Sequence, residues 1–179
     1  MASSSDASQP RETQPIVAGA TAEERDPTTW PSERLESIQR ILDRSRQTAG
    51  DAVRDTFDQP ERRMTALELV QFWNGGRMKA MATQGKKGPH IAPVHAEFVS
   101  GRLRSTIYEN AARRRDLRRN PAVALTTWGE HGAAAIVYGI AMEVPESSRE
   151  TRPGASGRSR RTVALEIEIT RIYCMKPRE

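Results

Sequence analysis

The chain has 179 residues, of which 36% are hydrophobic and 28% charged, and its net charge is +5. This composition supports one buried core together with a solvated tail. A single cysteine excludes an internal disulfide framework, and three histidines without a paired metal-binding motif argue against a metal site held by the protein alone. No apolar run approaches the ~18 residues of a membrane span, and the first residues lack a secretory leader. We therefore expect a cytoplasmic protein with no membrane partner.

Charge is divided unevenly along the chain. Residues 1–60 carry 7 basic and 11 acidic side chains, whereas residues 61–179 carry 21 basic and 12 acidic ones. A basic body attracts nucleic acid, anionic lipid or phosphorylated small molecules. The placement of the arginines must decide among these partners.

The first third of the chain predicts a tail followed by helices. Residues 1–30 are rich in small and polar residues without periodicity, which indicates a disordered tail. Residues 31–60 form a predicted helical extension, in which Ser32 is the expected N-cap of an amphipathic helix. The domain itself is expected at residues 61–179.

A second helix is predicted at the start of this domain. The side chains of Thr65 and Glu68 have the spacing of a capping box, in which each bonds the backbone N–H of the other residue. This helix should end near Asn74, before a pair of glycines.

Six later segments have the alternation and turn spacing of β-strands: residues 77–83, 90–99, 102–108, 122–128, 133–144 and 161–175. Glycine-rich turns between them favour hairpins over parallel crossovers. Pro93 lies inside the second strand and has no N–H to donate, so we expect this strand at an edge or a bulge. The pattern predicts an all-β fold with minor helices, arranged as a small antiparallel β-barrel. A polar, basic loop is expected at residues 145–161.

Seven arginines lie within residues 102–119, around a predicted short helix at residues 110–119. Asn110 is expected to cap this helix, whose first-turn N–H groups and dipole attract anions. Arg113 lies in the first turn, where its planar guanidinium can hold a phosphate by two hydrogen bonds. The segment therefore predicts a site for one phosphate. The alternatives are a solvated helix face and a nucleic-acid patch.

Several motifs follow one another in a specific order. A capped helix (MTALELV) precedes a strand ending in Ala-Thr, the turn Gly88-Pro89-His90, the pair Pro93-Val94 and the segment LRRNPAVAL. This order resembles the FMN-binding split barrel of pyridoxamine 5′-phosphate oxidase-like proteins, a family that includes deazaflavin-dependent reductases. The resemblance covers residues 64–144. It implies a six-stranded antiparallel split barrel with N-terminal helices and a short phosphate-site helix, in a homodimer whose sites form between subunits.

The resemblance also implies the site residues. Arg113 falls where the family binds the cofactor phosphate, and Ala111 stands where a Ser or Thr often assists, so that Asn110 or backbone N–H groups would substitute. The ring of the cofactor would contact backbone groups at the end of one strand and residues of two others: Met81, Ala82, Thr83, Pro93, Val94, Thr106 and Ile107. His95 is the substrate-side candidate and the histidine best placed to bind haem. No residue is identified as catalytic.

These features predict a flavin-dependent (FMN) oxidoreductase acting on an unidentified small molecule. We expect an activity other than that of the strict pyridoxine-phosphate oxidases, because their C-terminal Trp/Arg/His region has no counterpart here. A deazaflavin (coenzyme F420)-dependent reductase is one alternative, since the surplus arginines suit a longer acidic tail. A non-catalytic protein that binds flavin or haem is another. Nucleic-acid binding is disfavoured, because aromatic residues make up only 5% of the chain.

Overall fold

A computed structural model describes residues 20–75, 78–144, 151–153 and 159–178, with only the backbone at residues 151–153 and 159–160. The described α-helices are α1 (Ala22–Arg25), α2 (Ser32–Gln47), α3 (Asp51–Phe57), α4 (Ala66–Asn74) and α5 (Ala112–Arg119). Short 3₁₀ turns lie at Pro27–Thr29, Pro60–Arg62 and Glu130–Gly132. Within the described ranges, no helix is long and apolar enough to span a bilayer.

The strands follow the helical segment, except that α5 interrupts them. They are β1 (Lys79–Gly85), β2 (Gly88–Val94), β3 (Ala96–Val99), β4 (Arg102–Tyr108), β5 (Ala122–Trp128), β6 (Ala134–Glu143), β7 (Thr151–Pro153) and β8 (Ser159–Met175). Residues 145–150 and 154–158 of the predicted basic loop lie outside the described residues. The rest of that segment includes β7, which pairs with β8.

Residues 20–30 differ from the predicted disordered tail, whose residues 1–19 lie outside the described part of the chain. Thr21 and Glu24 form a capping box at the start of α1. Arg25 then forms an ion pair with the buried Glu97, 3.1 Å from Nε to Oε2, and Trp30 is buried against the domain. Sequence composition missed this segment because its contacts are with β3, far along the chain.

Helix α2 packs on the long strand β8. Ile38 and Leu42 are almost fully buried, and the Ser45 hydroxyl accepts a hydrogen bond from the Ile172 backbone N–H at 3.0 Å. The predicted Ser32 cap is wrong: Pro31 is the N-cap residue, Ser32 is the first helical residue, and no side chain caps this end.

Helix α4 confirms the predicted capping box. The Glu68 N–H donates to the Thr65 hydroxyl at 3.3 Å, and the Thr65 N–H donates to the Glu68 carboxylate at 2.8 Å. The apolar face of the helix is buried against the sheet, and Trp73 donates its indole N–H to the Ala96 carbonyl. This helix fixes the position of β3.

Seven strands form one antiparallel sheet in the order β2-β1-β5-β6-β8-β4-β3. Strands β2 and β3 are therefore the two edges of the sheet, although only His95 separates them in sequence. A single residue cannot cross a flat sheet of this width, since one residue spans at most ~3.6 Å. The sheet must curl until its edges meet at His95, and the fold is a split barrel.

The strand count differs from the six predicted. The single strand expected at residues 90–99 divides at His95 into β2 and β3, which pair with different neighbours, β1 and β4. Pro93 lies on the edge strand β2, as its missing N–H indicated. The antiparallel split barrel predicted from the sequence is otherwise confirmed.

A bulge alters the alternation of β8. Val163, Leu165 and Ile167 are buried, but further along the same strand the buried residues are Ile172 and Cys174. The change occurs where the β6–β8 register shifts between Tyr138 and Gly139, which leaves one additional residue on β8. The bulge keeps both halves of this long strand in the core.

Candidate functional site

A cavity of about 210 Å³ lies where the two edges of the sheet meet. Its walls come from the end of β2, from β4 and from the first turn of α5. The lining residues are Met78, Pro93, Val94, His95, Thr106, Ile107, Tyr108, Arg113 and Thr162. None of these described residues is acidic, so Arg113 gives the cavity a positive charge.

Six of the predicted site residues lie together in this cavity: Pro93, Val94, His95, Thr106, Ile107 and Arg113. Their sequence separation is bridged by the fold, because β2 and β4 approach each other only when the barrel closes. Val94 and Ile107 are buried, whereas the side chains of Pro93 and His95 are exposed at the rim. The structure thus brings an apolar wall next to a single guanidinium.

Met81, Ala82 and Thr83 are not among the residues that line the cavity. Strand β1 lies between β2 and β5, so its backbone groups are paired on both sides. Met81 is fully buried in the core, and Thr83 donates its hydroxyl to Asp116 at 3.1 Å. The predicted contact of their backbone groups with a flavin ring stays a prediction.

Asn110 does not cap α5. The helix begins at Ala112, its N-cap residue is Ala111, and no side chain bonds the first-turn N–H groups. Asn110 is an exposed turn residue that lies outside the cavity lining. Because alanine has no side-chain acceptor, the first turn keeps N–H groups that an external anion can satisfy.

Arg113 has a buried guanidinium nitrogen without a partner. Its Nε is one of three buried side-chain polar atoms that form no hydrogen bond in the described part of the chain. The other two, of Arg25 and Arg104, lie 3.1 and 3.6 Å from glutamate oxygens. Arg113 has no carboxylate partner among the described residues, and burial lowers its pKa below the usual range. The charge therefore lacks compensation, which an anion would supply.

Helical periodicity assigns the other arginines of α5 to different faces. Arg114 and Arg118, four residues apart, both bond Glu143 on β6. The Arg114 contact is bidentate, with Nε and Nη2 each 2.9 Å from a carboxylate oxygen. These two arginines hold the helix against the sheet, and Arg113 is left to face the cavity.

The inner face of α5 is held by a buried carboxylate. Asp116 accepts hydrogen bonds from Thr83, from the His90 ring at 2.6 Å and from Arg119 at 2.7 Å. Burial opposes ionisation of this carboxyl, but the hydrogen bonds from His90 and Thr83 prevail and lower its pKa. Asp116 therefore links α5 to the hairpin formed by β1 and β2.

Met78, Tyr108 and Thr162 also line the cavity. Met78 and Tyr108 belong to the strand segments 78–83 and 104–108, whose backbone groups the resemblance implies as contacts of the ring, whereas Thr162 was not inferred from the sequence. Thr162 enters because it pairs with Tyr108 in the β4–β8 ladder. Strand register of this kind is set by tertiary packing, so no local pattern indicated Thr162.

The chain has structural relatives but no match by sequence. No family model matches it, and no curated protein does. A conserved hypothetical protein from Mycobacterium tuberculosis aligns over 66% of this chain and 88% of its own, at 20% identity and a TM-score of 0.54. A putative pyridoxamine 5′-phosphate oxidase from Listeria innocua aligns over 59% and 94%, at 13% identity and a TM-score of 0.48. An F420 reductase aligns over 69% of this chain and 98% of its own, at 16% identity and a TM-score of 0.43.

At these identities, structural likeness defines the fold and does not transfer a ligand or an activity. The fold is the split barrel that the motif order indicated, and the resemblance stated from the sequence is confirmed at that level. What the protein binds has to be argued from its own cavity.

Proposed function

We propose that this protein binds flavin mononucleotide in the cavity at the meeting edges of the barrel and uses it as an oxidoreductase on a small molecule. The observation that carries the proposal concerns Arg113, a half-buried cation. Its Nε forms no hydrogen bond, and its guanidinium has no carboxylate partner among the described residues. A buried charge without a partner is costly, so such a residue is retained where a ligand completes it.

The phosphate of the cofactor would accept hydrogen bonds from the Arg113 guanidinium. It would also accept them from the backbone N–H groups of the uncapped first turn of α5. Arg113 is the residue of α5 that lines the cavity, so its guanidinium would orient the phosphate toward α5 and the ring toward β2 and β4.

The ring would lie against the apolar wall of the cavity. Pro93, Val94 and Ile107 supply this wall, and Thr106 adds a hydroxyl. A bound flavin supplies hydride transfer, while the protein binds, orients and shields it. His95 is the residue on the open side and the candidate for contact with substrate.

A second copy of the chain is part of the proposal. A cavity of about 210 Å³ is smaller than the ~300–1,000 Å³ of typical ligand pockets. Its lining includes Met78, which is 49% exposed, and the Met78 carbonyl accepts a hydrogen bond from Thr127, next to the 63% exposed Trp128. We infer that a partner subunit covers these two exposed apolar side chains and completes the site.

The test distinguishes the contribution of the phosphate to cofactor binding from that of the ring. FMN and riboflavin, which lacks the phosphate, are titrated into the protein and followed by quenching of flavin fluorescence. Arg113→Ala should weaken FMN binding by about 10- to 100-fold, the loss expected for charge-assisted hydrogen bonds, and change riboflavin binding by less than about twofold. Arg40→Ala is the matched control and should leave both ligands unaffected, because Arg40 is an exposed residue of α2 with no ion-pair partner among the described residues.

Equal losses for FMN and riboflavin in the Arg113 variant would contradict the phosphate role. An absorption spectrum of the purified protein addresses the alternatives that the sequence left open, because flavin, deazaflavin and haem bands differ. Reduction of the bound cofactor by a nicotinamide separates an enzyme from a non-catalytic carrier. A cytoplasmic location stays a prediction from composition.

A further inference from the structure

A second cavity lies on the other side of α5 and is unrelated to the FMN proposal. It has a volume of about 460 Å³ and is lined by Lys86, Lys87, His90, Ala112, Arg115, Asp116 and Arg119. The tip of the β1–β2 hairpin forms one wall and the face of α5 that includes Ala112 and Arg119 forms the other. We call this cavity the hairpin groove.

The groove carries an excess of positive charge. Four of its lining side chains are cationic and one is anionic, which leaves +3 when His90 is not counted. Asp116 already compensates Arg119, with 2.7 Å between Nη2 and Oδ1. Lys86, Lys87 and Arg115 have no ion-pair partner in the part of the chain that the structure describes. Three unpaired cations around one concave surface raise the local concentration of anions.

The ring of His90, which lies on the hairpin wall of the groove, is held in one orientation. Asp116 holds Nδ1 of His90 at 2.6 Å, and this carboxylate is only 2% exposed. The ring reaches Asp116 because Gly85 has no side chain: a Cβ there would lie 2.6 Å from Cε1 of His90. A buried acceptor and a glycine together set the orientation of the imidazole, so its Nε2 edge is left for a ligand.

We infer that the hairpin groove binds a small polyanion with two linked phosphoryl groups, such as the pyrophosphate portion of a nucleotide. Lys86 and Lys87 come from one wall and Arg115 from the other, so a ligand with two anionic centres can contact cations on both walls. The volume exceeds that of one phosphate and lies in the range of small-ligand pockets. The lack of aromatic residues in the lining disfavours a nucleic-acid strand.

The probe for this site is inorganic pyrophosphate, measured by isothermal titration calorimetry at ~0.1 M ionic strength and compared with orthophosphate. Wild-type protein should bind pyrophosphate at least about tenfold more tightly than orthophosphate. The double variant Lys87→Ala/Arg115→Ala should weaken pyrophosphate binding by about 100-fold, since two charge-assisted contacts are lost. Both side chains are exposed and unpaired, so this variant is expected to fold.

Three controls make the result decisive. Arg40→Ala/Arg44→Ala removes the same charge from exposed positions of α2 and should change pyrophosphate affinity by less than about twofold. Arg113→Ala should also leave pyrophosphate affinity unchanged, and the groove variant should retain FMN binding. Failure of one proposal can therefore be distinguished from failure of the other. The inference is overturned if pyrophosphate does not bind, if the α2 variant loses as much affinity, or if only Arg113→Ala loses it. Displacement of pyrophosphate by single-stranded DNA that binds more tightly would overturn it in favour of a nucleic-acid site.

Discussion

The ion cluster between α5 and β6 yields a quantitative prediction about stability and pH. Hydrogen bonds from Arg114 lower the pKa of Glu143 from its ordinary 4.5 to about 2, Arg118 adds to the effect, and burial opposes it. The folded protein therefore holds this carboxylate ionised at pH values where the unfolded chain would protonate it. The resulting stabilisation is complete above pH 4.5 and disappears as the pH falls toward 2.

The size of this effect follows from the same pKa values. A gap between 4.5 and about 2, at ~1.36 kcal/mol per pKa unit, sets a ceiling of about 3.4 kcal/mol. The carboxylate is 29% exposed and the Arg118 side chain 62% exposed, so water screens much of the interaction. We expect Glu143→Gln to lower the free energy of unfolding by about 1 kcal/mol at neutral pH.

Urea denaturation of wild type and Glu143→Gln at several pH values between about 6 and 3 measures this difference. The gap between the two proteins should shrink as the pH decreases, because only in wild type does the unfolded chain take up a proton at position 143, which removes the stabilisation. Glu36→Gln is the matched control, since Glu36 is exposed and has no ion-pair partner among the described residues. A gap that stays constant with pH, or an equal loss in the control, would refute the assignment of this interaction.

Two further predictions concern the core. Gly139→Ala places a Cβ 2.5 Å from the Glu168 carbonyl oxygen at the β6–β8 bulge, so it should lower the free energy of unfolding by about 1–3 kcal/mol. Gly50→Ala is the control, because its Cβ meets no atom within 4 Å, and it should lower the free energy of unfolding by less than about 1 kcal/mol. Equal losses for the two variants in urea denaturation would refute the close approach at Gly139. Cys174 is only 2% exposed, and this burial raises the pKa of its thiol to about 12. A thiol reagent should therefore label the native protein slowly and the urea-unfolded protein at once. Rapid labelling of the native protein would disprove this burial.

Local signals in the sequence were sufficient where a feature depends on residues within one turn or one hairpin. The Thr65–Glu68 capping box is such a case, because both partners lie on the same turn of α4. Pro93 is another, since a residue without an N–H is restricted to an edge wherever the sheet lies. Arg113 was found for the same reason: its place in the first turn of α5 depends on three or four neighbouring residues.

Features set by closure of the barrel were beyond such reasoning. Residues 90–99 have the pattern of one strand, and only the meeting of two sheet edges requires the break at His95. The contact of His90 with Asp116 joins residues that no periodicity relates. The residue type of Asn110 favours a cap, but the helix begins two residues later, at Ala112, and its N-cap residue is Ala111.

The three faces of α5 have a consequence for how this segment can change over evolutionary time. One face supplies Arg113 to the first cavity, the opposite arginines clamp Glu143, and a third face borders the hairpin groove. Each added residue rotates a helix by ~100°. Inserting or deleting one amino acid between β4 and Arg113 would therefore turn different side chains toward the first cavity, Glu143 and the hairpin groove at the same time. The length of the connection to β4 should therefore be held constant.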